Sequence, residues 1–390
     1  MNLASVKNVS NRTPAAAPVG ARTITQDADA LTARLKTLID TFQGPQKTLR
    51  RFSRSEAARF IGIPDERLGK AKSFSAEDIR AARLKLAQRR KGLLPNRAPG
   101  TPPQVIAVAN FKGGSGKTTT TVHLAQHLAL RGFNTLAIDL DPQNSLTSFF
   151  CEGAALAPHA TLYGAIRYED PLPLKSLVRP THVPGLSLIP ANLELQEFEH
   201  ETPRALMAKS GGAPFYARIA KALSEVDPGT DVIVLDCPPQ LGFLTLGALC
   251  AATGVLITVH PQMLDVASMA QFLTMMADLM GVVEQAGAPV ALDFVSYVLT
   301  RSEPSDGPQA NVAAFLRGVF GERVLQNAMV KSTAIADAGL SHQTLYETSR
   351  EDFARTTYDR AMASLLAVNG EIEGMIRAVF DARPALEAAQ

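Results

Sequence analysis

Ten residues, FKGGSGKTTT from Phe111 to Thr120, carry the densest chemistry in the chain. A lysine and threonines closing a glycine-rich run have the composition of a phosphate-binding loop. Glycines let the backbone approach phosphate oxygens, while the lysine and a hydroxyl take the terminal phosphates and a magnesium ion. Gly113, Gly114, Ser115, Gly116, Lys117, Thr118 and Thr119 are therefore the nucleotide-binding candidates, with Lys117 on the β and γ phosphates and Thr118 on the metal. The loop departs from G-x-x-x-x-G-K-[ST], because Phe stands at position 111 and an additional lysine, Lys112, precedes two glycines.

Two acidic motifs supply what such a loop needs for metal-assisted phosphoryl transfer. DVIVLD ends four apolar residues with Asp236, placed to hold Mg²⁺ directly or through water. IDLDPQ carries Asp139 and Asp141 on one face of an extended segment, so that one can support the metal shell while the other orients water. Capping of the next turn is the plainer alternative for that pair. CPPQ after Asp236 fixes the backbone tightly, as a loop sensing the γ-phosphate requires.

These groups need strands that end beside one another. VIAVAN, NTLAIDL, LSLIP, DVIVLDC, GVLITVH and ALDFVSYVLT are β-rich runs separated by helical stretches. Nearly continuous apolar strands alternating with helices predict an α/β fold with a mostly parallel sheet covered by helices on both faces. VIAVAN runs straight into the glycine loop and then into TVHLAQHLALR, the strand-loop-helix order of a phosphate site.

The first hundred residues have another texture. Their Lys+Arg exceed Asp+Glu by 12, whereas the rest of the chain carries a net −10. Such asymmetry points to an acidic partner such as nucleic acid. Residues 1–25 read as a flexible tail, and Leu31, Leu35, Leu38, Ile39 and Phe42 predict an amphipathic helix over about 28–42. Ser53 or Ser55 can cap a helix through Phe60, Gly62 can turn the chain, and Pro64 suits a second helix to about Lys70. Ser75 and Asp78 form a capping-box start for a third helix, from Ala76 to about Arg90. The first two helices fit a helix-turn-helix, with Arg54, Arg59, Arg67, Lys70 and Lys72 as DNA contacts. GLLPNRAPGTPPQ, residues 92–104, reads as a linker, giving a DNA-binding domain over 26–91 and an ATPase domain over 105–390.

Cys151, Cys237 and Cys250 form no CxxC pair and read as free thiols. No secretory signal is evident, and no run approaches the roughly 18 to 20 apolar residues of a membrane span. The chain is accordingly expected to be soluble and cytoplasmic.

KGGSGKTT, IDLDPQ and VIVLDCPP, in this order, resemble the deviant Walker A, A′ and B motifs of the ParA/MinD family of ATPases, with similarity over about residues 104–368. The resemblance implies a P-loop NTPase fold, ATP/ADP and Mg²⁺ as cofactors, and a catalytic set of Lys112, Lys117 and Asp141. Lys112 would reach across an ATP sandwich homodimer to the other subunit's phosphates. Asp141 matches the family's water-orienting aspartate, and Asp139 and Asp236 match its metal-site acids. The C-terminus lacks the basic amphipathic helix of MinD-like members, so no membrane partner is expected. The cysteines do not fit the iron–sulfur members either.

SRSEAARFIGI resembles the start of a MerR-like helix-turn-helix, although little sequence separates Lys70 from Ser75. FGERVLQNAMVKST and TTYDRAMASLLAVNGEIEGMI resemble ParA-type plasmid partition proteins, in particular the RepA proteins of repABC replicons. That resemblance implies ATP-dependent plasmid segregation, nonspecific binding to double-stranded DNA, a ParB-type centromere-binding partner that stimulates hydrolysis, nucleoid association, and operator binding by the N-terminal domain. Candidate nonspecific DNA contacts are Arg317, Arg323, Lys331, Arg350 and Arg355. With no arginine finger or catalytic glutamine near the motifs, the Mg-dependent ATPase is expected to be weak alone. An ATP-liganded transcriptional repressor and a cargo-positioning ATPase are the alternatives.

Overall fold

The structure is a computed structural model that describes residue 26 and residues 29–34, 47–151, 156–208, 212–287 and 291–383. It separates into two units, Met1–Gln46 and Lys47–Gln390. Residues 29–34 of the first unit are helical, as the apolar spacing predicts. The remainder of that expected helix, with Leu35, Leu38, Ile39 and Phe42, lies outside the described residues, as does the 1–25 tail.

The second unit opens with strand β1 (Phe52–Ser53), helix α1 (Arg54–Ile61), strand β2 (Ser73–Phe74) and helix α2 (Ala76–Ala87). Both helices begin at capping boxes, Ser53 with Glu56 and Ser75 with Asp78, and α1 ends on left-handed Gly62. The expected second helix from Pro64 to Lys70 is only a 3₁₀ turn, Asp65–Arg67. PDERLG is too short to outweigh helix nucleation by itself. The Arg54 guanidinium also fixes the turn by donating to the carbonyls of Asp65 and Leu68, both at 2.8 Å.

The sheet follows: β3 (Gln104–Ala109), β4 (Thr135–Asp139), β5 (Arg179–Pro180), β6 (Leu186–Ile189), β7 (Val232–Asp236), β8 (Gly254–Val259) and β9 (Phe294–Leu299). Its order is β5-β6-β4-β7-β3-β8-β9, parallel except for the antiparallel β5–β6 edge. All six predicted strands are present. The two-residue edge β5 has no sequence signal of its own.

Intervening helices are α3 (Lys117–Leu130), α4 (Ser145–Phe150), α5 (Tyr163–Ile166), α6 (Leu195–Met207), α7 (Phe215–Leu223), α8 (Phe243–Ala251), α9 (Met263–Gln285), α10 (Gly307–Phe320), α11 (Thr333–Leu340) and α12 (Arg355–Ala382). Alternation along β3 sends Val105, Ala107 and Ala109 into a core shared with α6 to α10. Ile106 and Val108 enter the opposite core with Leu124 and Leu128 of α3 and Ile372 and Ile376 of α12. Covered faces explain the apolar strands. One expectation needs correction: α9 is by length and composition apolar enough to cross a bilayer. Val266, Met269 and Phe272 of this helix are buried in the core, while Met263, Leu264, Met275 and Val282 are exposed.

The N-terminal helices share the second core, where Phe60 lies edge-on to Tyr346 at 6.0 Å. Residues 92–104 are laid onto the same body, with Leu93 buried and Arg97 paired with Asp231 at 3.3 Å. Buried Arg83 donates to the carbonyls of Phe60, Ile61 and Leu93. Beside it, the Glu373 carboxylate accepts from His127 Nε2 at 3.0 Å, Arg131 Nε at 2.8 Å and Arg377 Nε at 2.7 Å.

Burial pushes the Glu373 carboxyl up, but His127 and the arginines outweigh it and hold it well below the usual range. A carboxyl depressed by folding stabilises above the ordinary glutamate range and loses that contribution as pH falls toward its folded value. Glu373→Gln should therefore destabilise the protein by about 3 kcal/mol near neutral pH. Urea melts of both proteins should converge as pH falls below about 4.

Candidate nucleotide site

The site forms where β3, β4, β7, β8 and β9 end, so neighbouring strand termini set its geometry. Asn110, just past β3, donates from Nδ2 to the Thr258 carbonyl at 2.6 Å and accepts the Lys112 N–H at 3.0 Å. The glycine loop is then pinned from the far side: Thr300 Oγ1 donates to the Ser115 carbonyl at 2.7 Å. Gly116 has φ of 88°, and a Cβ there would stand 3.2 Å from Thr300 Cβ. Only glycine fits that turn without strain.

Lys117 opens α3 and is buried. Its amine donates to the Lys112 carbonyl at 3.1 Å, and burial lowers its pKa against the opposing pull of Asp236. Thr118 Oγ1 donates to Asp236 at 2.7 Å, while Thr121 Oγ1 reaches the other oxygen of that carboxylate at 3.1 Å. Thr118 and Asp236 thus put two hard oxygen ligands together at the loop. They fit Mg²⁺, which takes few protein ligands and keeps several waters. No cluster of three or more His, Cys, Asp or Glu suited to a metal occurs among the described residues.

Asp139 and Asp236 stand opposite each other in the β4–β7 register, both fully buried. Burial pushes both carboxyls up, and proximity to Asp236 adds to the effect on Asp139. Their surroundings nevertheless differ. Asp139 accepts the Asp141 N–H at 3.0 Å and the N–H and hydroxyl of Thr147 at 2.8 and 2.7 Å. It buttresses the loop that carries Asp141, whereas Asp236 is held by the hydroxyls at the start of α3; neither carboxylate itself lines the cavity in front of the loop.

That cavity, of about 680 Å³, is lined by Gly113, Gly114, Gly116, Lys117, Thr118, Thr119, Asp141, Gln143, Ser145 and Pro239. It contains the phosphate loop together with the A′ loop. Its other wall comes from Thr300, Arg301, Met329 to Thr333, Ile335, Ala336 and Gly339, none of which sequence reasoning assigned to the nucleotide site. The first two follow β9 directly, and the tendency of α/β sheets to bind ligands at strand carboxyl ends is the signal that could have found them. The segment 329–339 offers no comparable signal.

Lys112 is elsewhere. Its amine pairs with Asp265 of α9 at 2.6 Å, and its side chain is 41% exposed. The DNA candidates also divide. Arg59, Arg67, Lys70 and Lys72 are exposed, whereas Arg54 holds the 3₁₀ turn. Arg317 donates to the carbonyls of Leu325 and Gln326, Arg323 covers the Phe320 ring, and Arg350 pairs with Asp359. Lys331 pairs with Glu303 at the cavity wall, and Arg355 is exposed at the start of α12.

Comparison with known proteins places this geometry. A family model described as an AAA domain matches residues 103–285. A candidate replication protein A of Rhizobium rhizogenes is 48% identical over 375 residues, covering 90% of this chain and 93% of that protein. The chain belongs to the ParA/MinD family of ATPases. Within this partition-type family, it is also similar to the chromosome-partitioning ATPase Soj of Thermus thermophilus, 31% identical over 262 residues, covering 67% of this chain and 95% of Soj. A solved structure titled "Partition Protein" has the same fold, with a TM-score of 0.62 over 90% of this chain and 98% of its own, at 18% identity.

For a ParA/MinD ATPase, the arrangement separates the acids by task. Asp139→Ala should cost about 3 kcal/mol of stability in denaturant melts, because it leaves buried donors of Thr147 and Asp141 unpaired. Asp236→Ala should lower Mg-dependent nucleotide affinity more than stability. A stable Asp139→Ala protein with weakened Mg²⁺ dependence would instead put Asp139 in the metal shell.

Proposed function

We propose that the chain is a weak Mg-dependent ATPase that segregates plasmid DNA. ATP closes a sandwich homodimer that binds double-stranded DNA nonspecifically. A ParB-type centromere-binding protein then stimulates hydrolysis, and the released monomer must reload ATP. The protein works in the cytoplasm on the nucleoid.

The observation that carries this reading is the separation of the two lysines. Lys117 fills its own phosphate loop, whereas Lys112 lies outside the cavity lining with its amine on Asp265. A cation brought onto the phosphates only in the dimer stabilises charge that develops during phosphoryl transfer. Dimerisation then reports ATP. Asp141, on the cavity wall with its backbone held by Asp139, is suited to orient the attacking water. Thr118 and Asp236 would hold the magnesium ion, which supplies charge neutralisation at the phosphates when bound.

A second reading, an ATP-liganded repressor with little turnover, draws on the N-terminal helices. They share a core with α3 and leave Arg59, Arg67, Lys70 and Lys72 exposed for an operator. Autoregulation of the operon is compatible with either reading. Negligible turnover with DNA and partner protein both present would favour the repressor.

Sedimentation of wild type and Lys112→Ala with ADP, ATP or no nucleotide, with and without nonspecific duplex DNA, tests the switch. Only wild type with ATP should form the DNA-bound dimer; equal dimerisation of both proteins under every condition would refute it. Asp141→Ala should bind ATP, dimerise and remain on DNA, with turnover reduced at least about 100-fold.

A further inference from the structure

Lys47, the first residue of the second unit, is only 9% exposed. Its amine donates to the carbonyls of Ser148 at 2.8 Å and Phe149 at 3.1 Å, at the end of α4, and to that of His342 at 3.1 Å, just past α11. These are the far ends of two elements that wall the nucleotide cavity. Gln143 and Ser145 line it at the start of α4, and Thr333, Ile335, Ala336 and Gly339 line it along α11.

We infer that Lys47 is a positioning residue for nucleotide binding, a latch that holds the α4 wall against the α11 wall. The inference rests on the nucleotide-site reading above. An ammonium suits the place, since a helix end presents unpaired carbonyls and negative partial charge. One cation serving carbonyls from both walls ties their separation to a single side chain. The seam has further contacts: the rings of Phe149 and His342 meet edge-on at 6.1 Å, and Leu49 packs against the cores on both sides. His342 lies at a φ of 50°, a left-handed conformation in which its carbonyl meets the amine.

The latch is separate from the chemical centre. Asp141 is held through its N–H by Asp139, and Lys117 through its own loop. Loosening Lys47 should therefore weaken binding in ground and transition states alike, raising the nucleotide Kd and leaving the chemical step alone.

The test uses the full chain, a fluorescent ribose-labelled ATP analogue for affinity, and single-turnover hydrolysis at saturating ATP. Lys47→Met should bind the analogue about tenfold more weakly, with a single-turnover rate within about twofold of wild type. Lys47→Arg, which keeps charge and donors, should recover most of the affinity. Should Lys47→Met fail to fold, Lys47→Gln keeps two N–H donors on a shorter stem and should show the same split at smaller size. Unchanged affinity in the folded variants, or a slower chemical step with affinity intact, would overturn the inference. Lys117→Ala serves as the reference: if it too binds like wild type, the nucleotide-site reading has failed. If it loses binding while Lys47→Met and Lys47→Gln do not, only the latch has failed.

Discussion

A helix that starts at the phosphate loop and is buried from Thr120 to Leu130 leaves its polar side chains no water to turn to. Buried donors and acceptors without partners are costly, and three such groups on α3 meet that demand by bonding another element. Thr121 fixes the Asp236 carboxylate at the end of β7. Gln126 bonds Glu347, which in turn takes His182 from the β5–β6 connection at 2.8 Å. His127 and Arg131 bind Glu373 of α12. One helix and the arginine that follows it thereby relate the glycine loop, Asp236, the edge of the sheet, the C-terminal helix and the N-terminal helices.

Legibility in the sequence follows the range of the interaction. Strand-loop-helix order, glycines at forced turns and acids at strand ends are local patterns, and the phosphate loop, Asp236 and the six principal strands were readable from them. Capping boxes at Ser53 and Ser75 were equally local. Long-range packing was not readable. Residues 92–104 have the proline and glycine content of a linker, yet Leu93 and Arg97 bind the body through residues more than a hundred positions away or through Arg83. The far wall of the cavity, from Met329 to Gly339, is brought in by tertiary structure and carries no phosphate-site motif. Pro64 was a sound helix start, but the chain around it was too short to make one.

Asp139 and Asp236 come from two motifs whose strand ends meet, and their surroundings differ. Side by side at strand ends, two buried carboxylates repel each other, and burial alone disfavours ionising either. Asp139 is compensated by backbone and hydroxyl donors that already belong to the A′ loop. Asp236 is compensated mainly by hydroxyls of α3, with Lys117 adding attraction. A divalent cation at Thr118 would relieve the strain on Asp236 directly. The two acids are thus coupled: the first orders the loop that lies next to the second.

The basic excess of the first hundred residues cannot be read as DNA-facing charge without subtraction. Arg83 is buried among carbonyls, Arg54 and Lys47 are taken up by carbonyls, and Arg50 and Arg97 are paired with Glu56 and Asp231. Arg80 donates to the Phe133 carbonyl and to Asn134. Lys47, Arg80 and Arg97 fasten this region to the ATPase body, whereas Arg50, Arg54 and Arg83 bond within it. Exposed basic residues remain in two places on the module: Arg59, Arg67, Lys70 and Lys72 at the end of α1 and along the connection to α2, and Lys85, Arg89, Arg90 and Lys91 on and just past α2. Neither place includes the docked face of α2, where Arg80 and Arg83 are engaged. The attachment through Arg80 and Arg97 lets the orientation of the module constrain that of the body it sits on.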